Sequence, residues 1–220
     1  MLRRTLKIAL LIVALLAVIG GLIGYFFRGL MGDKPQAFFN ALYKHPMGYF
    51  SKDPNTLLVE TVSSLKPGKA LDVAMGEGRN AIWLATKGWD VTGFDISDEA
   101  LRQAVERARR AGVTINTVQA ASENFDYGHD KWDLIVMSYA FAPIQDAGYV
   151  ARLRDSLKPG GLLVFEHYQR TSASVPGTLS RGQAKETFRE FKILRCEESA
   201  MRGDWVFRLK LPLVRLVATR

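Results

Sequence analysis

The sequence predicts a doubly wound α/β fold on a mostly parallel sheet, behind one N-terminal transmembrane helix. Strand-like and helical patterns alternate from residue 68 onward, and such alternation implies right-handed crossovers with helices on both faces. The run Ala70-Leu71-Asp72-Val73-Ala74-Met75-Gly76-Glu77-Gly78-Arg79-Asn80-Ala81 ends an apolar strand in an acid and a glycine-rich turn that opens a helix. Ile8 to Phe27 forms twenty residues without a charge. At a rise of about 1.5 Å each, these reach the ~30 Å hydrocarbon thickness of a bilayer.

The elements follow in order. Arg3, Arg4 and Lys7 precede the apolar run, and Arg28 and Lys34 follow it. It is longer than a signal-peptide core and no A-x-A site follows, so it reads as an uncleaved anchor. Gly20 and Gly24 have the G-x-x-x-G spacing, which either packs two such helices into a weak homodimer or is simply tolerated in a membrane helix. Three basic residues precede the span and three follow it when Lys44 is included, so the positive-inside rule gives no orientation. The division is 1–28 as anchor, 29–54 as linker and aromatic segment, and 55–220 as the α/β domain. Phe38 to Phe50 is dense in aromatics and reads as a lid, a bilayer-interface segment or ordinary packing.

Within the domain the patterns predict helix 55–65, strand 68–74, helix 79–87, strand 90–95, helix 98–111, strands 114–119 and 132–138, helix 147–157 and strand 161–167. Helix 182–190 and strands 191–198 and 205–217 complete the chain. Gly76 and Gly78 let the backbone turn tightly and approach a ligand. The helix from Arg79 presents unpaired N–H groups and its positive dipole end to whatever fills the turn. Seventeen residues after Gly78, Asp95 ends the second strand, where a doubly wound fold places the carboxylate that bonds ribose hydroxyls.

Gly76, Gly78 and Ala81 also satisfy the dinucleotide pattern G-x-G-x-x-A. Asp72 separates the readings. An unpaired carboxylate near the end of an apolar strand costs several kcal/mol, so it needs turn N–H groups or a cation. The D-x-A-x-G-x-G run resembles the first motif of class I S-adenosylmethionine-dependent methyltransferases, in which that acid orients the loop beneath the methionine part of the cofactor. Trp132 to Ser138 is similar to the family's fourth strand, and Leu157 to Phe165 to its helix-turn-strand before the fifth; the likeness spans about Lys66 to Tyr168. Gly78-Arg79-Asn80-Ala81 is similar to the tellurite-resistance and thiopurine-type small-molecule members.

The resemblance implies a Rossmann-like sheet closed by an antiparallel C-terminal hairpin, and S-adenosylmethionine as cofactor. Asp72, Ala74, Gly76, Gly78, Asn80, Asp95, Ile96, Ser122, Glu123 and Ser138 would contact it. It also implies a cytoplasmic catalytic domain, because that cofactor is made and kept there. Ala74 stands where the family's first glycine is usual, and Ala121 where an acid usually meets the adenine amino group. Ser122, Glu123 or a backbone carbonyl would then take its place.

Methyl transfer from a sulfonium is an in-line displacement, so the protein mainly aligns the acceptor and excludes water. A hydroxyl or ammonium acceptor also needs a base, whereas a thiolate does not. Acceptor-side candidates leave the carboxyl ends of the fourth and fifth strands: Ser138, Tyr139, Phe141, Glu166, His167 and Tyr168. His167 is the expected base, its ordinary pKa suiting neutral pH, with Tyr139 beside it. The acceptor is a small molecule or a lipid, the latter suited to an anchored enzyme.

Thirty basic and 22 acidic residues give a net +8. Beyond residue 34, the 25 basic and 21 acidic residues leave +4. That dispersed excess makes no nucleic-acid footprint. Arg102, Arg107, Arg109 and Arg110 complement the dipole of the helix that Asp98 and Glu99 begin. One cysteine, Cys196, excludes an internal disulfide, and His45, His129 and His167 lack metal-ligand spacing. Two other classes fit the turn: a catalytically silent adenosyl-binding membrane protein and an NAD-dependent reductase. The reductase normally needs Tyr-x-x-x-Lys, which neither Tyr139 nor Tyr168 supplies.

Overall fold

The computed structural model describes residues 35–44, 50–170, 177–205 and 210–220. The apolar run at 8–27 lies outside the described residues. Among those described, no helix is long and apolar enough to cross a membrane.

Helices α1 (Pro35–Lys44) and α2 (Thr56–Val62) precede strand β1 (Lys69–Val73). Then come α3 (Arg79–Thr86), β2 (Asp90–Asp95), α4 (Asp98–Arg110), β3 (Asn116–Gln119), β4 (Trp132–Ser138), α5 (Ala147–Ser156) and β5 (Leu157–Tyr168). Helix α6 (Gln183–Thr187) and strands β6 (Lys192–Arg202) and β7 (Lys210–Thr219) end the chain. The seven strands run in the order β3-β2-β1-β4-β5-β7-β6. The first five are parallel, and β7 is antiparallel to both β5 and β6. The mostly parallel sheet and its C-terminal hairpin thus match the expectation from sequence.

Parallel strands covered on both faces carry nearly continuous apolar runs, and successive residues serve opposite faces. Leu71, Val73, Ile135, Met137, Leu163 and Phe165 pack on one side with Tyr149, Leu153 and Phe188. Ala70, Val91, Leu134, Val136 and Val164 pack on the other with Leu57, Leu84 and Leu101. Side-chain caps fix the helix starts: Asn55 Oδ1 accepts from the Leu58 N–H, Ser97 Oγ from Ala100 and Asp146 from Gly148.

Several boundaries depart from expectation. Helices α2 and α6 are shorter than predicted. Strand β5 starts at Leu157 rather than 161, because Lys158-Pro159-Gly160-Gly161 forms a bulged entry opposite Trp132–Leu134 instead of a separate turn. Strand β6 runs on to Arg202, so the hairpin reaches past the carboxyl end of β5. The chain leaves β1 and β4 toward opposite edges of the sheet, and the ends of β1, β2 and β4 therefore open a crevice at a topological switch point.

Candidate active site

A cavity of about 260 Å³ occupies that crevice. Its floor is the turn after β1. Gly76 has φ +55°, and a Cβ there would lie 2.5 Å from Tyr43 Oη and 3.3 Å from Tyr43 Cζ. Only glycine lets α1 settle this close. Ala74 also has a positive φ, +51°, so the position where the family usually has glycine holds an alanine in the left-handed region.

Asp72 has the backbone partner its burial demands. It is 2 % exposed, and the Ala81 N–H donates to its Oδ2 at 3.0 Å. Burial nevertheless pushes its pKa up to about 7, opposed by the Ala81 N–H, the Arg79 charge and the Asn80 side chain. Asn80 Oδ1 in turn accepts from the Asn55 N–H at 2.8 Å. Asp72 and Asn80 thereby tie the start of α3 to β1 and to the cap of α2.

Asp95 is held by the protein as well as facing the cavity. The Gly76 N–H donates to Oδ2 at 2.8 Å and the Ser97 N–H to Oδ1 at 2.9 Å. Burial raises its pKa while these N–H groups pull it down. Each carboxylate oxygen has a second lone pair, which suits a pair of ribose hydroxyls. Ile96, Ser122 and Glu123 line the same end, with Ala120, Ala121 and Phe94. Tyr127 Oη donates to the Ser122 carbonyl at 3.2 Å and pairs with Tyr149 Oη at 2.7 Å, pinning that loop to α5.

Of the expected cofactor contacts, Gly78 alone does not line the cavity. It takes φ +74° to cap α3, with the space for a side chain closed by Ala104 and Ile82. His167, the expected base, also lies off the cavity. It is 2 % exposed and packs beside Tyr139, Phe141 and Gly177. Burial pushes its pKa down to about 4, leaving a neutral imidazole at neutral pH. Tyr139 does line it, at φ +58°, and a non-glycine residue held there marks a site where strain is retained. Its hydroxyl donates to Glu166 Oε1, and Arg215 Nε donates to Glu166 Oε2 at 2.6 Å. Ser138 Oγ accepts from Arg79 Nη2 at 3.1 Å.

The roof comes from the aromatic segment before the sheet and from Trp205, to which sequence reasoning gave no role. Helix α1 lies across the start of α4, where Gln36 Nε2 and Asn40 Nδ2 donate to Asp98 and Gln103 Nε2 donates to the Tyr43 carbonyl at 2.9 Å. That docking sets Phe39 and Tyr43 over the cavity; residues 45–49, including His45, lie outside the described residues. Trp205, beyond β6, stacks on Tyr139 at 5.4 Å and on Phe50 at 5.2 Å, with Phe141 at 6.4 Å. Glu77 Oε2 meets Lys52 and Arg107 at the rim. Sequence reasoning set Trp205 at the start of the predicted strand 205–217, whereas it lies between β6 and β7; nothing in the pattern said which way it turns. Among the described residues no His, Cys, Asp and Glu gather as a metal site.

A family model described as Methyltransferase domain matches residues 70–161. A thiopurine S-methyltransferase of Vibrio atlanticus is 26% identical over 185 residues, covering 73% of this chain and 84% of that protein. A probable S-adenosyl-L-methionine-dependent methyltransferase, TehB of Haemophilus influenzae, is 32% identical over 90 residues, 36% of this chain and 32% of that protein. The crystal structure of a Burkholderia thailandensis 1,6-didemethyltoxoflavin-N1-methyltransferase, solved with S-adenosylhomocysteine, superposes with a TM-score of 0.58 at 16% identity over 93% of this chain and 90% of that one. The acid-braced glycine turn, the second acid facing the crevice and these likenesses agree: residues 70–161 form a methyltransferase domain, and the protein is an S-adenosylmethionine-dependent methyltransferase.

Proposed function

We propose that this enzyme methylates a small, planar aromatic acceptor whose nucleophilic atom is already ionised at neutral pH, an aromatic thiol being the simplest. One observation carries the reading: the acceptor side of the cavity is walled by Phe39, Phe50, Tyr139, Phe141 and Trp205. Offset and edge-on aromatic contacts favour a flat ring by about 0.5–1.5 kcal/mol per pair beyond simple burial. The cofactor, once bound along Asp72, Gly76 and Asp95, supplies the electrophilic methyl group. The chain's own groups then bind, orient and dry the site.

The ionised acceptor follows from how the polar groups are engaged. Asp72 and Asp95 are braced by backbone N–H groups, Glu77 meets two cations, and the Tyr139 proton points to Glu166. A thiolate asks none of them to take a proton. Incubating the enzyme with labelled methyl donor and matched aromatic thiols, phenols and aliphatic thiols, and in parallel with a lipid extract, tests this. Turnover is expected to favour the aromatic thiols; label appearing only in a lipid fraction would replace this acceptor with a lipid one.

The proposal extends to location. The uncharged run at Ile8 to Phe27 supports a membrane anchor, and the cytoplasmic supply of cofactor supports a domain facing that side. A reporter fused after Arg220 reads the orientation, and reporter activity confined to the outer side would overturn it. The Gly20 and Gly24 spacing supports weak self-association of the anchor, which crosslinking in membranes would detect.

A further inference from the structure

We propose that Asp204 and Arg79 form a latch that positions Trp205 as the roof over the acceptor, tying that roof to the start of the cofactor-binding helix. The claim rests on the aromatic-acceptor reading for its kinetics, but not for its geometry.

Arg79 is the first residue of α3, directly after the glycine turn, and its side chain is 8% exposed. Nη1 donates to the Asp53 carbonyl at 3.0 Å and the Asp204 carbonyl at 3.1 Å, while Nη2 donates to Ser138 Oγ at 3.1 Å and Asp204 Oδ1 at 3.0 Å. A guanidinium has four N–H bonds on its two terminal nitrogens, and all four are taken by the protein. Arg79 is therefore not a clamp waiting for an anionic substrate. It is a strut.

Asp204 completes the strut from the hairpin side. Its Oδ2 accepts from the Thr56 N–H at 2.7 Å and from Asn55 Nδ2 at 3.1 Å, and Oδ1 accepts from Arg79. One carboxylate thus joins the tip beyond β6 to the start of α2 and the start of α3. Next to it, the Trp205 carbonyl accepts from the Ser51 N–H at 2.8 Å, and the indole is clasped between Phe50 and Tyr139. Within the sheet β6 pairs with β7, so these contacts fix where Asp204 and Trp205 fall. Arg79 Cζ also lies 5.9 Å from the Tyr139 ring centre, so one cation touches both the roof's anchor and the wall it stacks on.

Because Arg79 continues directly from the turn that holds the cofactor, the latch sets the distance between methyl donor and acceptor roof. Misplacement of about 1 Å between reacting groups costs on the order of 10²-fold in rate.

The test uses full-length protein labelled with fluorotryptophan, in parent, Asp204→Asn, Asp204→Ala and Arg79→Lys forms, with Trp205→Phe assigning the resonance. Thiophenol is the acceptor probe. The latch predicts that the Trp205 fluorine signal shifts toward its solvent-exposed position in Asp204→Ala. It predicts a thiophenol kcat/KM lowered on the order of 10²-fold, and S-adenosylhomocysteine Kd within about threefold of the parent. Asp204→Asn keeps the shape and one acceptor oxygen, and falls between parent and Asp204→Ala. An unmoved Trp205 signal overturns the latch, as does S-adenosylhomocysteine affinity falling in step with kcat/KM. If the parent leaves thiophenol unmethylated, the acceptor reading fails and the fluorine signal alone decides the latch.

Discussion

Replacing Asp95 with Asn isolates the contribution of a single oxygen. Two backbone donors, Gly76 N–H and Ser97 N–H, each claim one carboxylate oxygen, at 2.8 and 2.9 Å. An amide offers only one oxygen, so either orientation sets its NH₂ group against one of these N–H groups. A buried donor left unpaired costs about 1–3 kcal/mol, which lowers stability without ligand. Losing a charged acceptor for the ribose hydroxyls removes about another 1.5–3 kcal/mol from binding, or roughly 10- to 150-fold in Kd. Calorimetric titration with S-adenosylhomocysteine, paired with urea unfolding of the ligand-free protein, measures both parts. Affinity within about threefold of the parent would show that this carboxylate does not hold the sugar. Weakened binding with unchanged unfolding would show that the two N–H bonds do not brace the loop.

Other expectations concern stability and the role of the buried imidazole. Asp72, with its folded pKa raised from 3.8 to about 7, favours the folded state below about pH 4, and that contribution is lost as pH rises through about 7. Asp72→Asn is expected to flatten the pH dependence of the unfolding free energy across that window by removing the decline, so that its difference from the parent changes with pH; a difference that does not change with pH refutes the burial account. His167, lowered from 6.5 to about 4, acts in the opposite direction, with stability present above 6.5 and lost as pH falls toward 4. His167→Gln should lessen that acid-side loss and leave methyl transfer within about threefold of the parent, and a much larger fall in kcat would return His167 to the mechanism. Ala74→Gly relieves a left-handed alanine costing about 1–2 kcal/mol against about 0.5–1 kcal/mol of added chain entropy. The net gain of roughly 0.5–1 kcal/mol should raise Tm by about 1–4 °C, whereas a fall would mean the turn does not strain Ala74.

The cofactor half of the site was legible because it is local. Strand, acid, glycines and helix start lie within a dozen residues, and Asp95 follows at the next strand end. The backbone geometry of that run places Asp72 against Ala81 and Asp95 against Gly76. The acceptor half was legible only in part, as Tyr139 and Phe141 after the fourth strand, because the rest is assembled from distant pieces. Phe39 and Phe50 come from before the sheet, Tyr139 and Phe141 from beyond β4, and Trp205 from the hairpin tip. No period in the sequence records that these meet. Arg79 lay in the quoted run, yet its four partners at Asp53, Ser138 and Asp204 are visible only in three dimensions. His167 was read correctly as a strand end, but its burial beside Phe141 and Gly177 was not visible in the sequence. In β5 the proline-glycine run was taken for a turn, where the sheet absorbs it as a bulge against β4.

The most direct test of the central assignment is parallel calorimetric titration of the full-length protein with S-adenosylhomocysteine and with NADH. Saturable binding of the adenosyl thioether, with NADH producing no heat beyond dilution, is the expected result. Saturation by NADH alongside a silent adenosyl thioether would contradict it and return the glycine turn to dinucleotide chemistry.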